Sequence, residues 1–435
     1  MTSGNNKRVF LPAFAAIAAV LIAAAAHAPS AGGVAELTIA SSGGGSNPAL
    51  SVATTGTIGP VIGTAVPHPE PELRLINVIE TFRRGEVDSA MNEAQELLEA
   101  NPNFRLAHLV YGDLLASRAG VPMSFQSTDM PSASVGLLMA EAKQRWKHYR
   151  TSKRPDRVPE ALVQMSGSQK NALVVDLAES RLFVFENKNG EPELLGDYYV
   201  SGGKNGAHKQ RQGDRKTPVG VYFVIDRLPG DDLPDKYGPV AFPVDYPNEW
   251  DVRHGRTGGG IWLHGVSSST YSRPPLDSDG CVALSNAELE LVAPLLQEGS
   301  TPVLIADGLS WVSTDRVAQR RADITSSIEQ WRTDWESGEV DTYLGHYSGE
   351  FHGRGMNKKA WDAYKSNVTR NKRFIRVGLD DISVFAHPFE DDMMVVSFRQ
   401  QYESDRFSSS AKKRQYWRLE DDGRWRIISE ENVAL

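Results

Sequence analysis

The first regular hydrophobic pattern of the chain lies between residues 71 and 160. Hydrophobic residues recur there every three or four positions, which predicts amphipathic helices. They form four runs: Leu75, Val78, Ile79 and Phe82; Ala90, Ala94, Leu97 and Leu98; Ala107, Val110, Tyr111, Leu114 and Leu115; and Leu138, Ala142, Trp146 and Tyr149. Asn101-Pro102-Asn103 predicts the end of the second helix. We therefore expect a helical region over 71–160.

Between residues 171 and 306 the pattern changes to alternation, with glycine and proline between the runs, which predicts β-strands. The predicted strands are Leu173–Asp176, Arg181–Phe185, Asp197–Ser201, Gly220–Ile225, Ile261–His264 and Pro302–Ala306. Ala178-Glu179-Ser180, between the first two, fits a tight hairpin. This segment is predicted to be a mainly-β domain.

The segment 314–435 combines both patterns. It opens with a helical run that contains Ile324, Ile328, Trp331 and Trp335, and a second helical piece covers about Ala360–Asn367. Strand-like runs follow at Ile375–Leu379, Ile382–Ala386, Met394–Gln401, Arg414–Glu420 and Trp425–Ser429. Helices followed by antiparallel strands predict an α+β cone, so the chain as a whole is predicted to be multidomain α+β.

Aromatic residues are frequent in this last segment. They fit either a concave binding pocket or an aromatic core, and they are Trp331, Trp335, Trp361, Tyr402, Trp417 and Trp425. Both arrangements occur in such folds, so the choice between them depends on how far the side chains are buried.

Residues 1–28 have the form of a secretory signal peptide. Lys7 and Arg8 precede an apolar run that ends in Ala26-His27-Ala28, a small-x-small cleavage pattern. The alternative is an uncleaved anchor, because the apolar run approaches the length of a membrane span. Residues 29–70 are rich in Gly, Ser, Thr, Ala and Pro, and are predicted to be a flexible linker. We therefore expect export, with membrane contact only through the transient signal.

Charge and composition exclude other classes of function. The 435 residues include 47 Lys and Arg against 55 Asp and Glu, for a net charge of −8. This mildly acidic balance gives no basic footprint for nucleic acid, so no nucleic-acid partner is expected. Cys281 is the single cysteine, so no internal disulfide can form. An unpaired cysteine in an exported protein is a candidate reactive thiol.

The candidate chemistry lies between His264 and Leu284. Cys281 follows Gly280 and lies 17 positions after His264, a spacing at which a loop can bring the two side chains together. A cysteine needs a neighbouring base or imidazolium to act as a nucleophile at neutral pH. A turn at Gly280 can direct backbone N–H groups towards a developing oxyanion. These residue types predict an acyl-transfer site.

Cys281 has two other interpretations. A lone cysteine is often a small buried hydrophobic residue. A metal site made of His254, His264 and Cys281 lacks the closely spaced ligand pairs that zinc sites favour. The exported setting, the preceding glycine and the His-Gly spacing favour catalysis over both. We therefore expect no metal site at Cys281.

The segment 171–306 resembles the L,D-transpeptidase (YkuD-like) catalytic domain. The resemblance rests on His264-Gly265, on Ser278-Asp279-Gly280-Cys281-Val282, on the opening hairpin and on Thr217-Pro218-Val219-Gly220. It implies that Cys281 is the nucleophile and His264 the general base. It also implies that Ser278 and Gly280 shape the turn and, with the Cys281 N–H, the oxyanion site.

The same resemblance implies the substrate and the location. The partners would be peptidoglycan stem peptides in the periplasm: the thiol attacks the carbonyl of the third stem residue and expels the terminal D-Ala. An amine then takes the acyl group, giving a 3→3 cross-link or the attachment of another protein. Neither of these steps needs a metal or an organic cofactor. If water resolves the same acyl-enzyme, the protein is an L,D-carboxypeptidase or amidase. The third alternative is a non-catalytic wall-binding scaffold.

Two positions depart from the family pattern. Many members carry an arginine two positions after the cysteine, where this chain has Ala283. This departure leaves open how the carboxylate of the stem is held. Some members carry a histidine just before the Gly-Cys pair, where this chain has Asp279. Asp279 and Gly265 are the candidates for orienting an imidazole or contacting substrate.

The flanking segments resemble binding modules. The segment 314–435 resembles the NTF2-like (SnoaL-like) fold. The segment from Ala90 to Leu115 resembles one tetratricopeptide-type (TPR-like) helical hairpin, with a plain helical prefix as the alternative. These resemblances imply that the helical or the NTF2-like region binds the wall or another envelope protein.

Overall fold

The computed structural model describes residues 70–120, 132–152, 156–370 and 372–433. The predicted signal peptide, and the predicted linker except for its last residue, lie outside these residues. Helices, a mainly-β part and an α+β part follow one another along the chain, which confirms the predicted fold class. Among the described residues, no helix combines the length and the hydrophobicity needed to cross a membrane.

The first part is helical, and each helix buries one hydrophobic face. The structure describes here α1 (Glu70–Arg83), α2 (Val87–Ala100), α3 (Arg105–Arg118) and α4 (Ser132–Thr151). Residues such as Leu75, Leu97 and Leu114 are buried where consecutive helices pack together. The helices end at Thr151, so the boundary expected at residue 160 is too late, and two short strands follow instead. The tetratricopeptide resemblance stays a prediction.

The second part is built from short strands. They are β1 (Arg157–Pro159), β2 (Leu162–Gln164), β3 (Asn171–Asp176), β4 (Arg181–Lys188), β5 (Glu191–Tyr199), β6 (Gly202–Gly203), β7 (Gly220–Phe223), β8 (Leu228–Pro229), β9 (Val240–Pro243), β10 (Trp262–His264), β11 (Leu276–Ser278), β12 (Val282–Ala283), β13 (Pro302–Ala306) and β14 (Trp311–Ser313). Two short helices, α5 (Glu249–Arg253) and α6 (Asn286–Val292), interrupt them.

The two larger sheets of this part pack face to face. One has the strand order β5-β4-β3-β13-β7, and the other has the order β12-β10-β9-β8. Leu173, Phe242 and Leu263 belong to the core between them. Successive residues of a strand point to opposite faces. Because Leu263 points into the core, His264 faces the other side of the second sheet.

The third part is an α+β unit. It contains α7 (Thr314–Ser337), α8 (Val340–Leu344), β15 (Tyr347–Gly353), β16 (Met356–Asn357), α9 (Lys358–Thr369), β17 (Ile375–Ala386), β18 (Met393–Ser404), β19 (Ser408–Leu419) and β20 (Trp425–Val433). The two strands predicted between Ile375 and Ala386 form one strand, β17, with an irregular register between Asp380 and Ser383. A bulge of this kind interrupts the alternation on which the prediction was based.

The aromatic residues of the third part form a core. Trp331, Trp361 and Trp417 are completely buried, and Trp335 and Tyr402 are nearly so, while Trp425 packs against the same cluster. The burial favours the aromatic core over an open pocket for these side chains.

The second and third parts share a sheet and a core. Strand β2 of the second part pairs with β17 at the edge of the seven-stranded sheet of the third part. A further core contains Val174 and Phe183 from the second part together with Val395 and Tyr416 from the third. Buried apolar contact of this kind holds two domains in one relative position.

The helices are joined to the second part by buried charges. Glu72 of α1 accepts hydrogen bonds from Arg181 of β4 at 2.6 and 2.9 Å. Arg145 of α4 lies 2.9 Å from both Glu72 and Glu141. Burial alone would raise the pKa of Glu72, but Arg181 and Arg145 outweigh it and hold this pKa well below its usual range. The helical region is therefore fixed to the second part by ion pairs out of contact with water.

Candidate active site

Strand pairing brings the two predicted catalytic residues together. Strands β10 and β12 are parallel neighbours, with Leu263 opposite Val282 and His264 opposite Ala283. Leu263 and Val282 both point into the core. Residues one position away point to the opposite face. His264 and Cys281 therefore lie on the same face of the sheet, one on β10 and the other directly before β12.

The imidazole of His264 is buried and held by the backbone. Its Nδ1 lies 2.6 Å from the carbonyl oxygen of Gly265. A carbonyl oxygen only accepts hydrogen bonds, so Nδ1 carries the proton and Nε2 has the lone pair that a general base needs. The ring of Tyr237 packs at right angles to the imidazole, 5.0 Å away between centroids. These contacts restrict the rotation of the ring.

Gly265 supplies the orienting contact through its backbone. Its N–H donates to the carbonyl oxygen of Tyr237 at 2.9 Å. A Cβ at this position would overlap Asn286 Oδ1, which accepts a hydrogen bond from the Val266 N–H at 2.8 Å. A residue without a Cβ is therefore required for this approach. Of the two candidates for orienting the imidazole, the contact comes from Gly265.

Asp279 lies elsewhere. Its side chain is 73% exposed, with Lys204 Nζ at 3.9 Å and Arg215 Nε at 3.8 Å. The carboxylate thus faces solvent and surface cations, which does not fit a role in orienting His264. Exposed ion pairs of this kind contribute little to stability.

Ser278 and Gly280 form the turn that presents the thiol. The Ser278 hydroxyl donates to the carbonyl oxygen of Cys281 at 2.6 Å and accepts from the Gly280 N–H at 3.1 Å. Gly280 has φ +126°, and a Cβ there would lie 2.7 Å from the carbonyl oxygen of Lys216. These contacts commit both residues to the turn. Oxyanion stabilisation is then left to other donors, of which the Cys281 N–H is the nearest along the chain.

Burial dominates the ionisation of the two central groups. It lowers the pKa of His264 to about 4, and it raises the pKa of the half-buried Cys281 thiol. The thiol donates to the carbonyl oxygen of Gly260 at 3.4 Å. At neutral pH the resting site therefore holds a neutral imidazole and a neutral thiol. Such a pair reacts by transferring the thiol proton to Nε2 as the sulfur attacks.

Two cations near the site were missed by the sequence analysis. Burial lowers the pKa of His264, and the positive charges of Arg273 and Lys236 lower it further. Burial raises the pKa of Cys281, and the same two charges partly oppose that rise. Arg273 Nη2 donates to the carbonyl oxygen of Lys236 at 2.8 Å, and the next residue is Tyr237, which packs on His264. The position of Arg273 in the sequence, between His264 and Cys281, could have indicated that it lies near the site.

The third residue of the metal interpretation does not join the site. His254 follows α5, where its Nδ1 lies 2.8 Å from the carbonyl oxygen of Trp250. This contact fixes His254 outside the two strands that present His264 and Cys281. Within the described ranges, no group of three His, Cys, Asp or Glu side chains is placed to hold a metal ion.

The lowered pKa of His264 predicts how the reaction rate depends on pH. The imidazole acts as a base only when neutral, and a pKa of about 4 keeps it neutral through mild acid. We expect the rate of Cys281 acylation at pH 5.5 to stay within about twofold of its value at pH 7. The measurement is kcat/KM against pH, with circular dichroism to show that the fold persists. If kcat/KM fell to half its value near pH 6.5, the base would instead be an ordinary, solvated histidine.

Comparisons with known proteins identify two segments of the chain. The family model of the L,D-transpeptidase catalytic domain (YkuD) matches residues 170–305, and that of the Cds6 C-terminal NTF2-like domain matches residues 323–431. The solved structure of Bd1075 from Bdellovibrio bacteriovorus is 32% identical, covering 64% of this chain and 99% of that chain, with a TM-score of 0.57. The chain therefore belongs to the family that joins a YkuD catalytic domain to an NTF2-like domain.

A second solved structure has the same architecture. The helical cell shape determining protein Pgp2 from Campylobacter jejuni is 25% identical, covering 63% of this chain and 95% of that chain, with a TM-score of 0.54. No curated protein sequence matches the chain. The resemblances stated for the catalytic and C-terminal segments are thus confirmed.

Proposed function

We propose that the protein is an exported cysteine L,D-transpeptidase that acts on peptidoglycan stem peptides in the periplasm. The observation that carries this proposal is the placement of His264 and Cys281 on one face of neighbouring strands, with Nδ1 of the histidine held by Gly265. This arrangement leaves Nε2 as the base for the single thiol of the chain. Export is supported by the signal-like residues 1–28.

The reaction divides into two half-reactions. Cys281 Sγ attacks the carbonyl carbon of the third stem residue while its proton passes to His264 Nε2. The C–N bond to the terminal D-Ala then breaks, and the leaving amine takes the proton from Nε2. An acceptor amine next attacks the thioester carbonyl carbon and gives its proton to Nε2. The C–S bond then breaks, and the sulfur takes the proton from Nε2, which restores the thiol. The product is a 3→3 cross-link or an amide to another amine acceptor.

The experiment is intact-mass and product analysis of the purified full-length chain with a disaccharide tetrapeptide. We expect a thioester adduct on Cys281 and a 3→3 cross-linked dimer. Tripeptide without dimer would show that water resolves the acyl-enzyme, and would favour the carboxypeptidase alternative over transfer to an amine. No product and no carbapenem adduct would overturn the catalytic proposal and favour a wall-binding scaffold.

The resemblance to Pgp2 supports a cellular role for the proposed reaction. Pgp2, of which the comparison covers 95%, is a helical cell shape determining protein. We extend the proposal to cell shape: remodelling of stem peptides in the wall by this protein alters cell curvature. Deletion of its gene should change cell shape, and only a catalytically intact copy should restore it. Binding of an envelope protein by the helical or NTF2-like region stays a prediction.

A further inference from the structure

The loop between the two catalytic residues is held by the N-terminal helices. We define the active-site loop as residues 266–275, between His264 and β11. Asn103, in the connection between α2 and α3, donates from Nδ2 to the carbonyl oxygen of Ser268 at 2.9 Å. The carbonyl oxygen of Asn103 accepts from the Tyr271 N–H at 3.1 Å. A segment outside the catalytic part thus fixes the backbone of this loop at two points.

Two side-chain contacts add to this support. The ring of Phe104, which is fully buried, packs on the ring of Tyr271 with 4.2 Å between centroids. The hydroxyl of Ser272 donates to Glu141 Oε1 of α4 at 2.7 Å. Glu141 is itself buried and paired with Arg145. The contacts of the helices therefore extend to the residue directly before Arg273.

The other end of the loop is bound to the catalytic part. The Ser201 hydroxyl donates to the carbonyl oxygen of Pro274 at 2.5 Å, and the Gly202 N–H donates to that of Pro275 at 2.8 Å. Arg273 lies between these two sets of contacts, and its Nη2 is bonded to the carbonyl oxygen of Lys236. The guanidinium is thereby held half-buried at Lys236, next to Tyr237, whose ring packs on His264.

Position 283 does not supply the arginine that many members of the family carry two positions after the cysteine. Position 283, where many relatives have arginine, is a buried alanine directly opposite His264. A tetrapeptide donor carries a carboxylate on its terminal D-Ala, three bonds from the carbonyl carbon that the thiol attacks. The arginine held next to Tyr237 matches this group, because its planar fork forms paired hydrogen bonds with a carboxylate.

We infer that Arg273 binds the terminal carboxylate of the donor stem peptide, and that the N-terminal helices position it by holding the active-site loop. This inference rests on the proposed function and deepens it. It assigns donor recognition to a residue in the loop instead of the position after the cysteine. It also gives the helical region a role in the reaction itself.

The first test pairs a residue with the group that it recognises. The full-length wild type and the Arg273→Gln variant are each assayed with a tetrapeptide that ends in D-Ala and with one that ends in D-alaninamide. We expect the kcat/KM of the wild type to be roughly 10- to 100-fold higher for the D-Ala peptide than for the D-alaninamide peptide. A difference of this size is typical when a charge-assisted hydrogen bond is lost. Arg273→Gln should lose this preference through a higher KM for the acid. Arg273→Lys should retain part of it.

The outcomes separate this inference from the proposed function. A wild type that processes acid and amide equally well would overturn the inference and leave the proposed function intact. A wild type that processes neither, and forms no carbapenem adduct, would remove the proposed function and the inference together. A preference that survives unchanged in Arg273→Gln would assign the carboxylate to another cation and overturn the role of Arg273.

The second test concerns positioning. Asn103→Ala removes the side-chain contact with Ser268, and Asn92→Ala removes an exposed amide on α2 as a matched control. We expect Asn103→Ala to raise KM for the acid by about 2- to 10-fold, with kcat and the rate of Cys281 alkylation by iodoacetamide unchanged. Phe104→Ala should have a larger effect of the same kind. Equal KM values for Asn103→Ala, Asn92→Ala and the wild type would overturn the positioning role.

Discussion

Replacing Cys281 with alanine is expected to abolish formation of the acyl-enzyme and release of D-alanine. The chain contains no second cysteine that could substitute for it. Removal of a nucleophile from a cooperating nucleophile and base lowers turnover by roughly 10⁴-fold or more. Intact-mass spectrometry should show a carbapenem adduct on the wild type and none on the variant. Product formation from a tetrapeptide should disappear in the same variant.

The matched control for this loss keeps the thiol and removes the base. His264→Ala should also stop turnover, because the neutral thiol then has no group to take its proton. Iodoacetamide should still alkylate Cys281 in this variant at alkaline pH, where the thiol ionises without a base. Retention of tetrapeptide cleavage by Cys281→Ala would assign the chemistry to another nucleophile and remove the basis of the proposed function.

Much of the architecture could be predicted from the sequence, because it depends on local periodicity. The runs around Leu75 and Leu97 became α1 and α2, and the strand predicted at Pro302–Ala306 has those bounds in the structure. His264 and Cys281 could be paired in advance, because the Gly280 turn and the spacing between them are local features. These features need no knowledge of how distant segments pack.

The remaining features depend on contacts between distant segments. Strand β2 pairs with β17, about 220 residues later, and no periodicity in either strand indicates the partner. The orienting contact of Gly265 depends on its close approach to Asn286. Arg273 is one of many cations in the sequence, and the helical contacts that hold its loop come from residues more than 130 positions away. Such contacts are properties of the tertiary structure and leave no local signal.

The buried charges between the helices and the catalytic part lead to the second large effect. Glu72→Gln removes the carboxylate that neutralises Arg181 and Arg145 and leaves both guanidinium groups buried without it. Breaking a buried ion pair by removing one partner costs about 3–5 kcal/mol. We expect the free energy of unfolding to fall by about this amount at pH 7. Urea denaturation followed by circular dichroism and tryptophan fluorescence measures it.

The control is a solvent-exposed ion pair in the same helices. Glu96 pairs with Arg74 at 3.0 Å, and the Glu96 side chain is 69% exposed. Glu96→Gln should therefore change the free energy of unfolding by less than about 1 kcal/mol. Equal effects of the two substitutions would show that the Glu72 network is not what holds the helices in place.

The same network predicts how stability depends on pH. The pKa of Glu72 is lowered in the folded protein, so its contribution is present above the unfolded pKa and is lost as pH falls through the folded pKa. Because the folded pKa lies well below the usual range, the contribution should persist through mildly acidic conditions and disappear only in strong acid. The stability difference between wild type and Glu72→Gln should therefore be nearly constant from pH 7 to about pH 5 and shrink below it. A difference that already vanishes at pH 5 would mean that Arg181 and Arg145 do not keep this carboxylate ionised.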